Sequence, residues 1–262
     1  MSSVTYDFTG QVALVTGAAR GIGKAIADAL AANGAAVVYT DVDIDTAKES
    51  AAKSDSRAIK MDVTQEDEVK EVIERTVADE GGLDILVNNA GVNTIAHRVP
   101  IDQFPKEEWD RIINVDLNGL YLVSKAGATV MRKQGSGRII NIASIGGLVP
   151  LRLQCGFIAA KAGVVNLTRA MAIELASAGI LVNAIAPGST LTDGTRQLFY
   201  GDDGKFTDSV QQLLDHIPLG RPAEVEEIAQ AALFLADPDN SYTTGHILTV
   251  DGGWTAGYAR DF

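Results

Sequence analysis

From Gln11 onward the chain alternates short apolar runs with longer helical patterns, and this alternation constrains the fold more than any other feature. Apolar runs without a polar side read as strands covered on both faces, and helices between successive strands force crossover connections. The expected architecture is therefore α/β: one doubly wound, mostly parallel sheet with helices on both faces. Gln11–Thr16 (QVALVT) reads as the first strand, followed by a glycine-rich turn and an alanine-rich helix over Gly21–Asn33. Asn33-Gly34 stops that helix.

The same alternation places further strands at Ala35–Thr40, Ile59–Asp62, Leu83–Val87, Arg138–Ala143, Ile180–Ile185 and His246–Val250. Helices are predicted near Asp45–Lys53 and at Gln65–Glu80, Lys106–Lys133, Leu153–Ala178 and Ala223–Ala236. From Ser189 to about Leu219 the rhythm lapses, and a long excursion of this kind in an α/β domain is usually a substrate lid. No repeat, low-complexity tract or linker interrupts residues 1–262, so a single domain is expected.

Twenty-two basic against 34 acidic residues leave a net charge of −12, which argues against a nucleic-acid partner. One cysteine, Cys155, excludes an internal disulfide framework and fits a reducing compartment. The first residues show no secretion signal, and no apolar run approaches membrane-spanning length. A cytoplasmic protein is the expectation.

Gly17-Ala18-Ala19-Arg20-Gly21-Ile22-Gly23 follows a strand and opens a helix. Glycines at 17, 21 and 23 let backbone approach a pyrophosphate at the helix N-terminus, where free N–H groups and the dipole favour anions. Asp41, ending the second strand, is placed to accept hydrogen bonds from the adenosine ribose and to repel a 2′-phosphate, which favours NAD over NADP. Arg20 pulls the other way, since it could reach such a phosphate. Asp62 and Val63, after the third strand, could bracket the adenine. In Cys155-Gly156-Phe157-Ile158-Ala159-Ala160-Lys161 the aromatic ring and the ammonium stand one helical turn apart on one face. A phenol at 157 would be activated by Lys161 and exchange a proton near neutral pH, whereas a phenyl ring has none to exchange.

Over nearly its full length the chain resembles the short-chain dehydrogenase/reductase family. The resemblance rests on Thr16 to Gly23, Asn88-Asn89-Ala90-Gly91, Asn114, Ser144, Lys161 and Pro187-Gly188. It implies a Rossmann-type seven-stranded parallel sheet with the cofactor across its carboxyl edge. It also implies that Asn88, Asn89, Ala90 and Gly91 support the adenosine side and stabilise the sheet, and that Thr192 meets the nicotinamide carboxamide. Pro187, Gly188 and Thr190 fall in the same cofactor segment. A homotetramer built on the two long helices follows from the same resemblance. The family's catalytic set is Asn-Ser-Tyr-Lys. Ser144 would hold the substrate oxygen, Lys161 the nicotinamide ribose, and Asn114 a relay water. The tyrosine position, thirteen residues after Ser144 and four before Lys161, holds Phe157.

Phe157 admits two readings: a Tyr→Phe substitution that traps substrate, or a native phenylalanine with another proton route or lost catalysis. Asn93, Gln154, Ser144 and Thr190 are candidate partners of substrate hydroxyls, and Arg152 or Arg98 of a carboxylate or phosphate. The tail from Asp251 to Tyr258 resembles that of family members acting on sugars and polyols. The expected activity is NAD-dependent interconversion of a secondary alcohol, a sugar or polyol, and its ketone. A nucleotide-binding pseudoenzyme, and a lyase or isomerase with retained NAD, are the alternatives. No metal ligand set is read.

Overall fold

In a computed structural model, residues 5–54, 56–94, 96–192, 199, 206 and 208–257 are described. The elements run β1 (Val12–Thr16), α1 (Gly21–Ala32), β2 (Ala36–Asp41), α2 (Ile44–Ala51), β3 (Arg57–Lys60), α3 (Glu66–Glu80) and β4 (Ile85–Asn88). Then come α4 (Lys106–Ile113), a π-helical stretch (Asn114–Gly119), α5 (Leu120–Gln134), β5 (Gly137–Ile142), α6 (Cys155–Leu175) and β6 (Ile180–Pro187). The chain continues through β7 (Thr190–Leu191), α7 (Asp208–Leu214), β8 (Ala223–Glu224), α8 (Val225–Ala236) and β9 (Ile247–Val250).

Seven strands form one parallel sheet in the order β3-β2-β1-β4-β5-β6-β9, the doubly wound topology expected. The order reverses between β1 and β4, and ligands of open parallel sheets sit at that switch point, beyond the strands' carboxyl ends. All five β1 residues are buried, as are Ile85–Asn88 of β4, so both faces of the central strands are covered. On one face Phe8, Ile26 and Leu30 pack with Ile228 and Leu233 of α8; on the other Val69, Ile73, Val123 and Met131 pack with Met171.

Some predicted boundaries move, each for a local reason. The third strand is Arg57–Lys60 rather than Ile59–Asp62, because its register with β2 runs from Val38↔Arg57 to Asp41↔Lys60 and then ends. Asp62 instead closes a turn, accepting from Thr64 N (2.9 Å) and Thr64 Oγ1 (2.8 Å). The helix predicted from Leu153 starts at Cys155, since Leu153 has φ 66°, a left-handed conformation that cannot enter a helix. The long helix predicted over Lys106–Lys133 is divided by the π stretch Asn114–Gly119. The segment predicted as a lid begins with the β7–β8 pair and includes α7; residues 193–198, 200–205 and 207 lie outside the described residues. Its described apolar side chains, Leu191, Phe199, Val210, Leu214 and Ile217, form a small cluster of their own.

Candidate active site

At the switch point the glycine-rich turn is fixed by close packing. Asn89 Nδ2 donates to Thr16 O (2.9 Å) and Gly17 O (3.0 Å), while Thr16 Oγ1 accepts from Asn89 N and Ala90 N (both 2.9 Å). A Cβ on Gly23 would lie 2.3 Å from both Asn89 Nδ2 and Gly17 O, so only glycine fits. Gly17 (φ 64°) and Gly21 (φ 60°) supply the left-handed turns. The N-terminus of α1 has neither a side-chain cap nor an acidic residue in its first turn, which leaves its N–H groups for an anion. These residues fit the pyrophosphate of a dinucleotide. Thr192 stands over the turn, its Cγ2 3.4 Å from the Cβ position of Gly21.

Asp41 accepts from Ala19 N (3.1 Å) and Asp43 N (2.9 Å), which holds its carboxylate beside the turn. Arg20, read as a possible 2′-phosphate ligand, forms an ion pair with Asp43. Hydrogen bonds from Thr46, with the Arg20 charge adding to them, hold the Asp43 carboxyl below its ordinary range. Val63 packs inward, where its Cγ2 would meet a Cβ on Gly119 at 2.6 Å.

A cavity of about 460 Å³ opens beyond this turn and is lined by Ser144, Phe157, Lys161, Asn93, Gln154 and Arg98, with Ile22 and Asn89 on the nucleotide side and Pro187, Gly188, Thr190 and Thr192 opposite. Ser144 Oγ accepts from Gly146 N (3.0 Å) and starts a short 3-10 turn, so the hydroxyl is fixed at the end of β5. Lys161 projects from α6, buried, and donates to Ile142 O (3.1 Å). The Phe157 ring lies under its ammonium, 5.7 Å from nitrogen to centroid.

The residue beside Lys161 is not the one the sequence suggested. Asn114 is exposed, and among the described residues its side chain accepts a long bond from Asn118 Nδ2 (3.4 Å). Asp116 takes the inner place: its side chain is fully buried, its Oδ2 lies 3.2 Å from Lys161 Nζ, and its Oδ1 accepts from Val92 N (2.7 Å). The 3.2 Å contact is an ion pair without hydrogen-bond alignment. In a helix, positions 114 and 116 point about 200° apart, so only one can face α6. The wider π turn starting at Asn114 presents Asp116.

Two substrate expectations also separate. Gln154 is buried and accepts from Asn93 Nδ2 (3.2 Å), so these two do line the cavity together. Arg152 is exposed on a neighbouring apolar groove of about 490 Å³, with Cys155 and Ile158; it is Arg98 that reaches the main cavity. The loop carrying Asn93 is anchored by Arg111, whose Nη2 donates to Asn93 O (3.2 Å) and to Glu108 Oε1 (2.9 Å). Sequence reasoning missed Asp116, Arg111 and Glu108, and also the partners Ser124, Asn141 and Thr168 of a buried polar chain around Asn88 behind the site. There Asn88 Nδ2 donates to Ser124 Oγ and Asn141 Oδ1, and Asn141 Nδ2 to Thr168 Oγ1, all at 2.9 Å. A polar residue inside an otherwise apolar strand, as at Asn88 and Asn141, was the available signal.

A glycine turn, a serine at the end of β5 and a lysine one helical turn after an aromatic ring, set at the carboxyl edge of this sheet, define a short-chain dehydrogenase/reductase. The chain belongs to that family: residues 17–255 match the family described as enoyl-(acyl carrier protein) reductase. It is 42% identical over 254 residues to a 3-oxoacyl-[acyl-carrier-protein] reductase of Synechocystis sp., covering 94% of this chain and 97% of that protein. It is also 42% identical over 253 residues to a cis-4-hydroxycyclohexanecarboxylate dehydrogenase of Sinomonas cyclohexanicum, covering 95% and 98%. Among solved structures, levodione reductase superposes with TM-score 0.87 at 34% identity, covering 96% of this chain and 100% of that one. The family makes it a nicotinamide-dependent oxidoreductase. No helix of the described residues is long and apolar enough to cross a membrane.

Proposed function

We propose that this chain interconverts a secondary alcohol and its ketone by hydride transfer, with NAD preferred to NADP. The observation that carries the reading is a single cavity onto which the Gly17–Gly23 turn, Ser144, Phe157 and Lys161 converge. A bound dinucleotide supplies or takes the hydride. Gly17, Gly21, Ile22 and Gly23 would hold its pyrophosphate; Asp62, Val63, Asn89, Ala90 and Gly91 would flank its adenosine half. Lys161 would meet the nicotinamide ribose, and Pro187, Gly188, Thr190 and Thr192 the nicotinamide. Ser144 Oγ would hold the substrate oxygen, and Asn93 and Gln154 its further polar groups.

The NAD preference is supported by two carboxylates, Asp41 and Asp43, beside the ribose position, the second of which already occupies Arg20. For the substrate, Leu151, Phe157, Phe199 and Trp254 make one wall apolar, and Asn93, Gln154 and Arg98 make another polar. That supports a compact secondary alcohol, polyols included. The tail lends the polyol less support than its sequence suggested, because Asp251 is engaged locally by Gly253 N (2.9 Å) and Thr255 N (2.7 Å). Exposed Tyr121 on α5 and Ile173 on α6 support a homotetramer.

Initial rates with NAD and NADP against polyols, cyclic alcohols, hydroxy acids and 3-oxoacyl thioesters test the reading. Turnover of at least one class with NAD supports it; tight NADH binding with no turnover on any refutes it. The second outcome would favour a nucleotide-binding protein without catalysis, a reading motivated by Phe157, which has no proton to exchange.

A further inference from the structure

The buried pair Asp116–Lys161 changes what the lysine can do, and this inference rests on the cavity being the hydride-transfer site. An ammonium near a phenol favours the phenolate, and that attraction is what makes such a phenol useful near neutral pH. Here the residue at 157 is a phenyl ring, and the ammonium already has a carboxylate 3.2 Å away in a fully buried position. The two side chains face the same nitrogen from different elements: Phe157 from α6 itself and Asp116 from the π stretch. Gly91 leaves room for them, since a Cβ there would lie 3.1 Å from Asp116 Oδ2 and 3.3 Å from Lys161 Nζ.

We propose that Asp116 is a positioning residue that holds and neutralises Lys161, so that the pocket no longer carries the positive charge that would activate a phenol at position 157. Residues 116 and 157 then act as a coupled pair. A hydroxyl restored at 157 alone would stand beside a neutral ion pair, and its proton would stay on at neutral pH. Lys161 Nζ donates to Ile142 O and is ion-paired with Asp116. The other charges near the site are Arg98 on the cavity wall and Arg111, which is tied to Glu108 and attracted by Asp116. No further charged side chain among the described residues lines this cavity.

The test is ultraviolet titration of the tyrosine introduced by Phe157→Tyr, with the parent chain's titration subtracted to remove its own six tyrosines. In Phe157→Tyr the new phenol should titrate near or above its ordinary value of about 10, and in Phe157→Tyr/Asp116→Asn at least about one pH unit lower. Turnover at pH 7 should accordingly be roughly tenfold higher in the double variant than in Phe157→Tyr. Equal titration midpoints in the two chains would overturn the proposal. If Asp116→Asn does not fold, Phe157→Tyr/Asp116→Asn/Lys161→Met removes both charges, a replacement that buried pairs generally tolerate. Under the proposal its phenol titrates as in Phe157→Tyr; a midpoint a full unit higher would show that the ammonium acts uncancelled. Titration needs neither cofactor nor turnover, so a chain without activity on any substrate still decides the role of Asp116.

Discussion

The nucleotide end of the cavity and its chemical end are built on different principles. The nucleotide end is a backbone turn clamped by close packing: glycines at 17 and 23 sit so close to the Asn89 amide and the Ala90 backbone that no side chain could be added. The chemical end turns on side chains, where Lys161, Asp116 and Phe157 meet and set the chemistry by charge and by the ring at 157, with Ile142 O and Val92 N anchoring the ion pair. Backbone packing tolerates almost no substitution, whereas a side-chain cluster can be altered while its scaffold stays the same. The first end is accordingly the more constrained of the two, and the second the more open to change.

That contrast can be tested from its strongest consequence downward. Lys161→Met strands a buried carboxylate and should lower stability by about 3–5 kcal/mol. Adding Asp116→Asn should recover most of that loss in urea unfolding; no recovery would mean the pair is not what the lysine stabilises. At the other end, Gly23→Ala would push a methyl into Asn89 and Gly17 and displace the turn. A displacement of that size should lower kcat/KM by roughly 100-fold, with NADH affinity in fluorescence titration falling in parallel. Unchanged affinity would place the dinucleotide elsewhere.

A smaller effect is expected at the adenosine side. Asp41→Asn keeps the shape near Ala19 N but removes a charge, and should shift the kcat/KM ratio about tenfold towards NADP. An unaltered ratio would leave Asp43 as the discriminating group. The weakest effect concerns the loop under the substrate. Hydrogen bonding from Arg111 above all holds the Glu108 carboxyl down at about 2, against an ordinary 4.5. A lowered carboxyl stabilises the fold above its unfolded value, so this contribution is present above pH 4.5 and lost as pH falls through about 2. Arg111 is partly exposed, so Glu108→Gln should cost less than about 1 kcal/mol at pH 7. The cost should fade as the medium is acidified.

The strands, the main helices and the nucleotide turn were legible because each depends on a local pattern. An apolar run bounded by glycine reads as a covered strand, and three glycines between a strand and a helix read as an anion turn. Phe157 and Lys161 could be paired from spacing alone, since residues four apart on a helix share a face. Asp116 could not be found this way. Asn114 and Asp116 both lie in a helical run, and the face each presents depends on where the wider π turn falls, which is set by packing against Val63 and α6. Likewise Arg98 and Arg152 are both loop cations in the sequence. Only the folded course of their two loops puts Arg98 on the cavity and Arg152 on the neighbouring groove.

The sequence by itself determined the sheet, the glycine turn and the missing hydroxyl, because these follow from residue type and short-range periodicity. The tertiary structure alone decided that a carboxylate faces the lysine, because that contact joins segments 45 residues apart, and its energy depends on burial that no local pattern records.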